Sequence, residues 1–531
     1  MQTSFPKTQL RVFRNSPHPA NSPKLIGLIL ELARGRGIPL LAFALPFALY
    51  LATLAPTIYN LDSAELTIAA STGGLMRATG YPLYLLLGRL WSYLPLGDVG
   101  YRFNLFSAFN GALAVFLGCR ILRKLGVGNL AAFGALGLMA TAPFYWSLSL
   151  VAEVYTLHVV LMAGLILLLL HWAEAASPGR LALAAGWLGL SMGHHLATAL
   201  LAPGVVFFVV SHARRKAFAW GNILFAVGAF IAGLSIYLYL PLLHAGAPAF
   251  NYSGMYDSAG HFHPVNLQSA AGLWWLVTGK SFASQMFAYH GAGLWREVGW
   301  FAGHLARAFL FVGIGPGVFG LAVLFRRDWR LGGMLALMFS VSAFFYIDYL
   351  VVDKETMFLP AYLGWALFAG VGCEALLEGQ GTPRAGQIPW GRRLLETGMV
   401  AAVFIAGFWT GPQVNLSNDW STRERGEEIL ALVWQDAVIF GWWDSIPPVQ
   451  YLQLVEGARP DVLAINRFLI GQEDMFQFAL REAAHRPVYV DSFPAEWGSV
   501  LRAVPAGPLY RVIVRVTPGG ERYGYAEAVA R

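Results

Sequence analysis

The sequence predicts a mainly α-helical, polytopic membrane protein that ends in a small α/β domain. Three observations carry this expectation. Of 531 residues, 56% are hydrophobic and only 13% are charged, against about 25% charged in an average soluble protein. Apolar runs long enough to span a bilayer recur from residue 38 to residue 411, at the roughly 20 residues that a transmembrane helix needs. Beyond residue 411, short β-rich runs alternate with potentially helical segments. Disorder is excluded by the same scarcity of charge. A disulfide scaffold is excluded because the two cysteines, Cys119 and Cys373, both lie inside apolar runs. The net charge of +7 then mainly records which loops face the cytoplasm, and nucleic acid is not an expected partner.

Residues 1–37 form a basic tail with Lys7, Arg11, Arg14, Lys24, Arg34 and Arg36. It is too long and polar for a cleavable signal peptide, so the first span is expected to stay as an anchor. The membrane domain covers 38–411, with about eleven transmembrane helices expected at 38–56, 102–122, 129–148, 154–172, 180–194, 196–212, 218–242, 300–323, 332–351, 357–376 and 394–411. The fifth and sixth divide at Gly193-His194-His195. The short apolar segment 82–97 reads as interfacial or re-entrant. If all eleven cross, the later basic clusters, Arg120/Arg123/Lys124, Arg214/Arg215/Lys216, Arg326/Arg327/Arg330 and Arg392/Arg393, fall on the side of the tail. The N-terminus is then cytoplasmic. The loops 57–101 and 243–299 and the domain 412–531 lie on the periplasmic, extracellular or lumenal side.

The tail domain has strand-like runs at Ala437–Gly441, Asp461–Ile465, Pro487–Val490 and Tyr510–Val516, and Val455–Asn466 reads as a helix running into a buried strand. It shows no phosphate loop, metal cluster or nucleophile motif, which leaves a packing or acceptor-docking role.

The scarce external charges form the candidate site. Asp62 and Glu65 are spaced i, i+3 on one helix face, a pattern that also fits a capping box. Arg77 lies in the same loop, ahead of the chain-breaking Gly80-Tyr81-Pro82. Glu153, Tyr155 and His158 open the fourth span, where an ionisable group is costly unless it faces a cavity or partner. His194 and His195 occupy another external corner, with no zinc-protease spacing. Asp348, Asp353 and Lys354 sit in the turn before Phe358-Leu359-Pro360, which also reads as a solvated loop. No metal-ligand pattern is present, and the cofactor, including any divalent ion, is left open.

Through Asn60–Glu65, Gly80–Tyr84, Glu153–His158, Gly189–Pro203, Asp353–Pro360, Trp443-Asp444-Ser445 and Arg459-Pro460-Asp461-Val462, the chain resembles glycosyltransferase family 117, the domain-of-unknown-function 2723 proteins. The family looks like a branch of the GT-C superfamily, whose members use polyprenyl-phosphate sugars and include protein O-mannosyltransferases. The family often has His where this sequence has Arg77, and Asn where it has His194.

The resemblance implies a GT-C membrane fold and transfer of a mannose-like sugar from a polyprenyl-phosphate donor to an acceptor hydroxyl on protein or glycan. Such a donor is activated by its phosphate, so an inverting displacement needs one carboxylate base and a cation for the leaving group. The expected roles are base for Asp62, acceptor positioning for Glu65, and phosphate binding for Arg77 and Lys354. Tyr81, Glu153, Tyr155, His158, His195 and Asp353 would line the cavity. A lipid or cell-envelope polysaccharide acceptor, a transporter and a non-catalytic docking protein are the competing readings. Transporters more often show repeated halves and mid-membrane ionisable groups.

Overall fold

The computed structural model describes residues 38–60, 62–212, 219–380 and 389–515. The basic tail and the cluster Arg214/Arg215/Lys216 lie outside the described residues. Among the described residues, six helices are long and apolar enough to cross a membrane: Val99–Lys124, Tyr155–Glu174, Trp220–Ala245, Trp329–Ile347, Lys354–Gly379 and Trp390–Val414. Three shorter apolar helices accompany them, Leu40–Thr53, Asn129–Ala140 and Leu196–His212. Eleven crossings of full length are therefore not reproduced. Trp220–Ala245 and Trp390–Val414 are mostly exposed along their apolar windows, as helices facing lipid would be.

The 300–323 run is two helices, Ala292–Ala308 and Ile314–Arg327. Between them, Leu310 and Phe311 adopt positive φ angles of 48° and 59°, a backbone reversal that a hydropathy window cannot register. The first helix is tied to the turn at Lys354: Glu297 pairs with the Lys354 ammonium, and Phe301 packs on Phe358 with ring centroids 4.6 Å apart. The 82–97 segment contains a ten-residue helix, Pro82–Trp91.

Helix Val99–Lys124 organises, through its N-terminal half, the end of the bundle that carries the candidate acids. Asp98 caps it by accepting from the Tyr101 N–H at 2.7 Å, and Arg123 and Lys124 occupy its last turn, where cations oppose the helix dipole. Its buried Asn104 donates to the carbonyls of Ala55 at 2.9 Å and Thr57 at 2.7 Å, and accepts from the Ala152 N–H at 2.9 Å. One turn on, Ser107 Oγ accepts from the Glu153 N–H at 3.1 Å. Buried polar groups persist in an apolar bundle only when paired. These pairs pin together the segments that lead into Asp62 and Glu153.

Glycine brings two helix pairs into backbone contact. A Cβ on Gly189 would lie 2.2 Å from the Phe230 carbonyl oxygen, and one on Gly320 would lie 1.9 Å from that of Phe368. Small residues at such crossings allow the close approach that drives helix association in lipid.

The C-terminal region contains a five-stranded sheet, with β1 and β2 (Gly254–Tyr256 and Phe262–Pro264) forming a separate hairpin earlier in the chain. The sheet strands are β3 (Val438–Gly441), β4 (Leu463–Asn466), β5 (Val488–Val490), β6 (Leu501–Ala506) and β7 (Leu509–Val514). Their order is β4-β3-β5-β7-β6, parallel across β4-β3-β5 and antiparallel thereafter. Every residue of β3 is buried, as expected for a parallel strand covered on both faces. The helix expected within Val455–Asn466 lies earlier, at Ile446–Leu454, and only Leu463–Asn466 is strand. Arg459 explains the intervening turn. It donates to the carbonyls of Leu430 (2.6 Å), Val433 (3.1 Å) and Trp434 (3.0 Å), satisfying the open end of helix Ser421–Leu432, while Asp461 holds its other side.

The sheet region packs against the membrane helices. Helix Ile446–Leu454 rests on helix Asp62–Thr72, Tyr451 Oη accepts from the Gly100 N–H at 3.3 Å, and Arg423 reaches Asp98 at 3.6 Å. Bridges Leu75↔Asn251 and Tyr256↔Ile470 join the two long loops and the tail on one side.

Candidate active site

Helix Asp62–Thr72 opens with both carboxylates in its first turn. Asp62 pairs with the Arg77 guanidinium, and Glu65 Oε1 lies 3.7 Å from Arg77 Nε. Glu65 Oε2 accepts from the indole N–H of Trp443 at 2.8 Å. Asp62 retains 29% side-chain exposure, whereas that of Glu65 is zero. Burial pushes the Glu65 carboxyl up to about 7, with the nearby Asp62 charge adding to the rise and Arg77 and Trp443 opposing it. Glu153 is raised by burial and by the charges of Asp62 and Asp353, and Asp353 by burial and by Asp62. Asp62, Glu153 and Asp353 thus lie close enough to feel one another's charge, and the Arg77 cation offsets part of that repulsion at Glu65, Glu153 and Asp353.

An aromatic and imidazole wall adjoins the acids. Tyr81, Tyr155 and His158 place their rings 5.5, 6.4 and 5.4 Å from that of His195. His195 Nδ1 accepts from the Ala197 N–H at 3.1 Å, so its neutral ring carries the proton on Nε2. His194 uses Nε2 to bond the Val154 carbonyl at 2.8 Å. Ser63 Oγ, Glu65 Oε1, Arg77 Nε, Thr79 Oγ1, Tyr84 Oη, Thr156 Oγ1 and His194 Nδ1 are all buried without a hydrogen-bond partner. Buried polar atoms are usually paired, so these atoms are available to a polar ligand.

Lys354 is drawn elsewhere. It is buried, pairs with Glu297, donates to the Ile347 carbonyl at 3.3 Å, and lies 4.6 and 5.0 Å from the ring centroids of Tyr289 and Trp300. Asp348 accepts from the Tyr289 N–H at 2.9 Å and so ties the same turn to the segment that carries Tyr289. Among the described residues, no group of three or more His, Cys, Asp and Glu is arranged to hold a metal ion. Trp443 is the residue that sequence reasoning left out of the site, although it falls in one of the stretches that resemble the family. The Arg77 guanidinium sits 5.5 Å from its ring centroid.

Residues 62–218 match the family described as protein O-mannosyl-transferase TMEM260 N-terminal domain. This segment is similar to that domain. Its first matched residue is Asp62, and it contains Glu65, Arg77, Tyr81, Glu153, Tyr155, His158 and His195. Mouse protein O-mannosyl-transferase TMEM260 is 30% identical over 209 residues, which are 38% of this chain and 29% of the mouse protein. The chain thus spans less than a third of that relative's length.

Over nearly the whole chain, the membrane helices and the C-terminal sheet share their fold with ArnT from Cupriavidus metallidurans bound to undecaprenyl phosphate. That likeness has a TM-score of 0.56 at 14% identity, over 91% of this chain and 98% of that one. The Archaeoglobus fulgidus oligosaccharyltransferase gives 0.51 at 15% identity, over 86% of this chain and 68% of that one. The fold is of the GT-C type.

Proposed function

We propose that this chain is a membrane glycosyltransferase that moves a mannose-like sugar from a polyprenyl-phosphate donor to an acceptor hydroxyl, with Ser and Thr of proteins as the acceptor class. The observation that carries the reading is the joining of Asp62, Glu65 and Arg77 in one polar site at the head of the segment that matches the O-mannosyl-transferase family. The mouse relative's name supplies the acceptor class, and the undecaprenyl phosphate bound to ArnT supplies the donor class.

In the proposed displacement, the acceptor oxygen bonds to the anomeric carbon while the bond from that carbon to phosphate oxygen breaks. Asp62, the more exposed acid, takes the acceptor proton. Arg77 Nε, which lacks a hydrogen-bond partner, meets the phosphate as it gains charge. Glu65 holds Arg77 in place, and the Nε2–H of His195 with Tyr81 and Tyr155 orients the sugar beside Glu153 and Asp353.

Purified protein in lipid, supplied with defined polyprenyl-phosphate sugars and candidate proteins, tests this by mass spectrometry. Sugar on acceptor Ser or Thr is the expected product. Transfer only to lipid or glycan would overturn the acceptor class, and no transfer from any donor would overturn the reading.

A further inference from the structure

Trp443 follows β3 in the C-terminal domain, 378 residues from Glu65 in sequence, yet its indole N–H supplies a 2.8 Å hydrogen bond to that carboxylate. The ring is itself held. Phe468 lies 5.4 Å away, Trp442 stacks on it at 5.8 Å, and helix Ile446–Leu454 just beyond packs on the helix that carries Glu65. Glu65 therefore has two anchors from different parts of the chain: Arg77 in its own loop, and an uncharged donor in the sheet domain.

We infer that Trp443 is a positioning residue through which the C-terminal domain holds Glu65 and Arg77 in the arrangement that transfer requires. The inference rests on the glycosyltransferase reading above. It gives the domain a part in building the site, beyond packing or docking an acceptor. A buried carboxylate needs its hydrogen bonds to stay ionised. Glu65 faces Asp62 and Arg77 from its own loop and Tyr252 from the second long loop. Of the groups named, Trp443 alone supplies a neutral N–H.

The test is a pair of variants in the full chain, assayed from pH 5 to pH 9. Trp443→Phe keeps a ring beneath Arg77 and deletes only the donor. Hydrogen bonds to charged groups are worth enough to move the acid limb of the kcat profile up by about one pH unit. A limb moving from about 7 to about 8 lowers kcat about fivefold at pH 7 and restores it at pH 9, with KM little changed. Trp443→His, which keeps a ring N–H, returns the limb toward the wild-type position. A Phe variant whose profile overlays the wild type, or is depressed equally at every pH, overturns the inference while leaving the transferase reading intact. Absence of transfer by the wild type strikes the reading instead. Should the Phe variant not be recovered folded, Trp443→His decides alone, and inactivity of that variant at pH 9 contradicts the inference.

Discussion

Glu65→Gln separates what the site costs the fold from what it gives the chemistry. The fold raises the Glu65 carboxyl from an ordinary 4.5 to about 7. A group raised in this way makes its full contribution to stability below pH 4.5 and loses it as pH climbs through 7. Above that range, the difference corresponds to about 3 kcal/mol given up to keep the carboxylate charged and buried. Glutamine keeps the shape, its side-chain oxygen can still accept from the Trp443 N–H, and Asp62 remains beside Arg77. The variant should therefore be the more stable protein at pH 8, by up to about 3 kcal/mol, with the advantage closing by pH 5. Thermal unfolding of the detergent-purified protein at the two pH values reads this directly. Sugar transfer at pH 8 should fall by about a hundredfold, since Arg77 loses one of its two anchors. A variant less stable than wild type at pH 8, or a stability gap independent of pH, would refute the reasoning.

Two further substitutions probe the scaffold. Lys354→Met leaves Glu297 without its cation and should cost roughly 3 kcal/mol, the low end for a broken buried pair; adding Glu297→Leu should recover most of the lost unfolding temperature. Asn104→Ala strips hydrogen bonds from Ala55, Thr57 and Ala152 at once, costing about 3 kcal/mol or more. Because the same contacts place Glu153, it should also lower kcat at temperatures where the variant is still folded.

The helices were legible where apolar length alone decides, as at Tyr155–Glu174 and Lys354–Gly379. They were not legible at 300–323, because the reversal at Leu310 and Phe311 uses residues as apolar as the helices on either side. Asp62, Glu65 and Arg77 could be grouped from sequence because they share one loop and charge is scarce. Glu153 and Asp353 joined them only as acids expected on the same face. Lys354 entered for the same reason, as a cation near the right surface, and nothing local showed that Glu297 would reach it from a helix 57 residues away. Trp443 carries no charge, and its role depends on how the sheet docks on the Asp62–Thr72 helix. Strand β6, Leu501–Ala506, was hidden by Arg502 and Pro505, which interrupt its apolar pattern at the edge of the sheet.

The most direct measurement is sugar transfer from a defined polyprenyl-phosphate donor by purified wild type and Asp62→Asn, with membrane insertion of both checked in parallel. The account predicts transfer by the wild type and, in an inserted and folded variant, a loss of at least about a hundredfold, the scale of a removed general base. An Asp62→Asn protein that transfers sugar at the wild-type rate would contradict it.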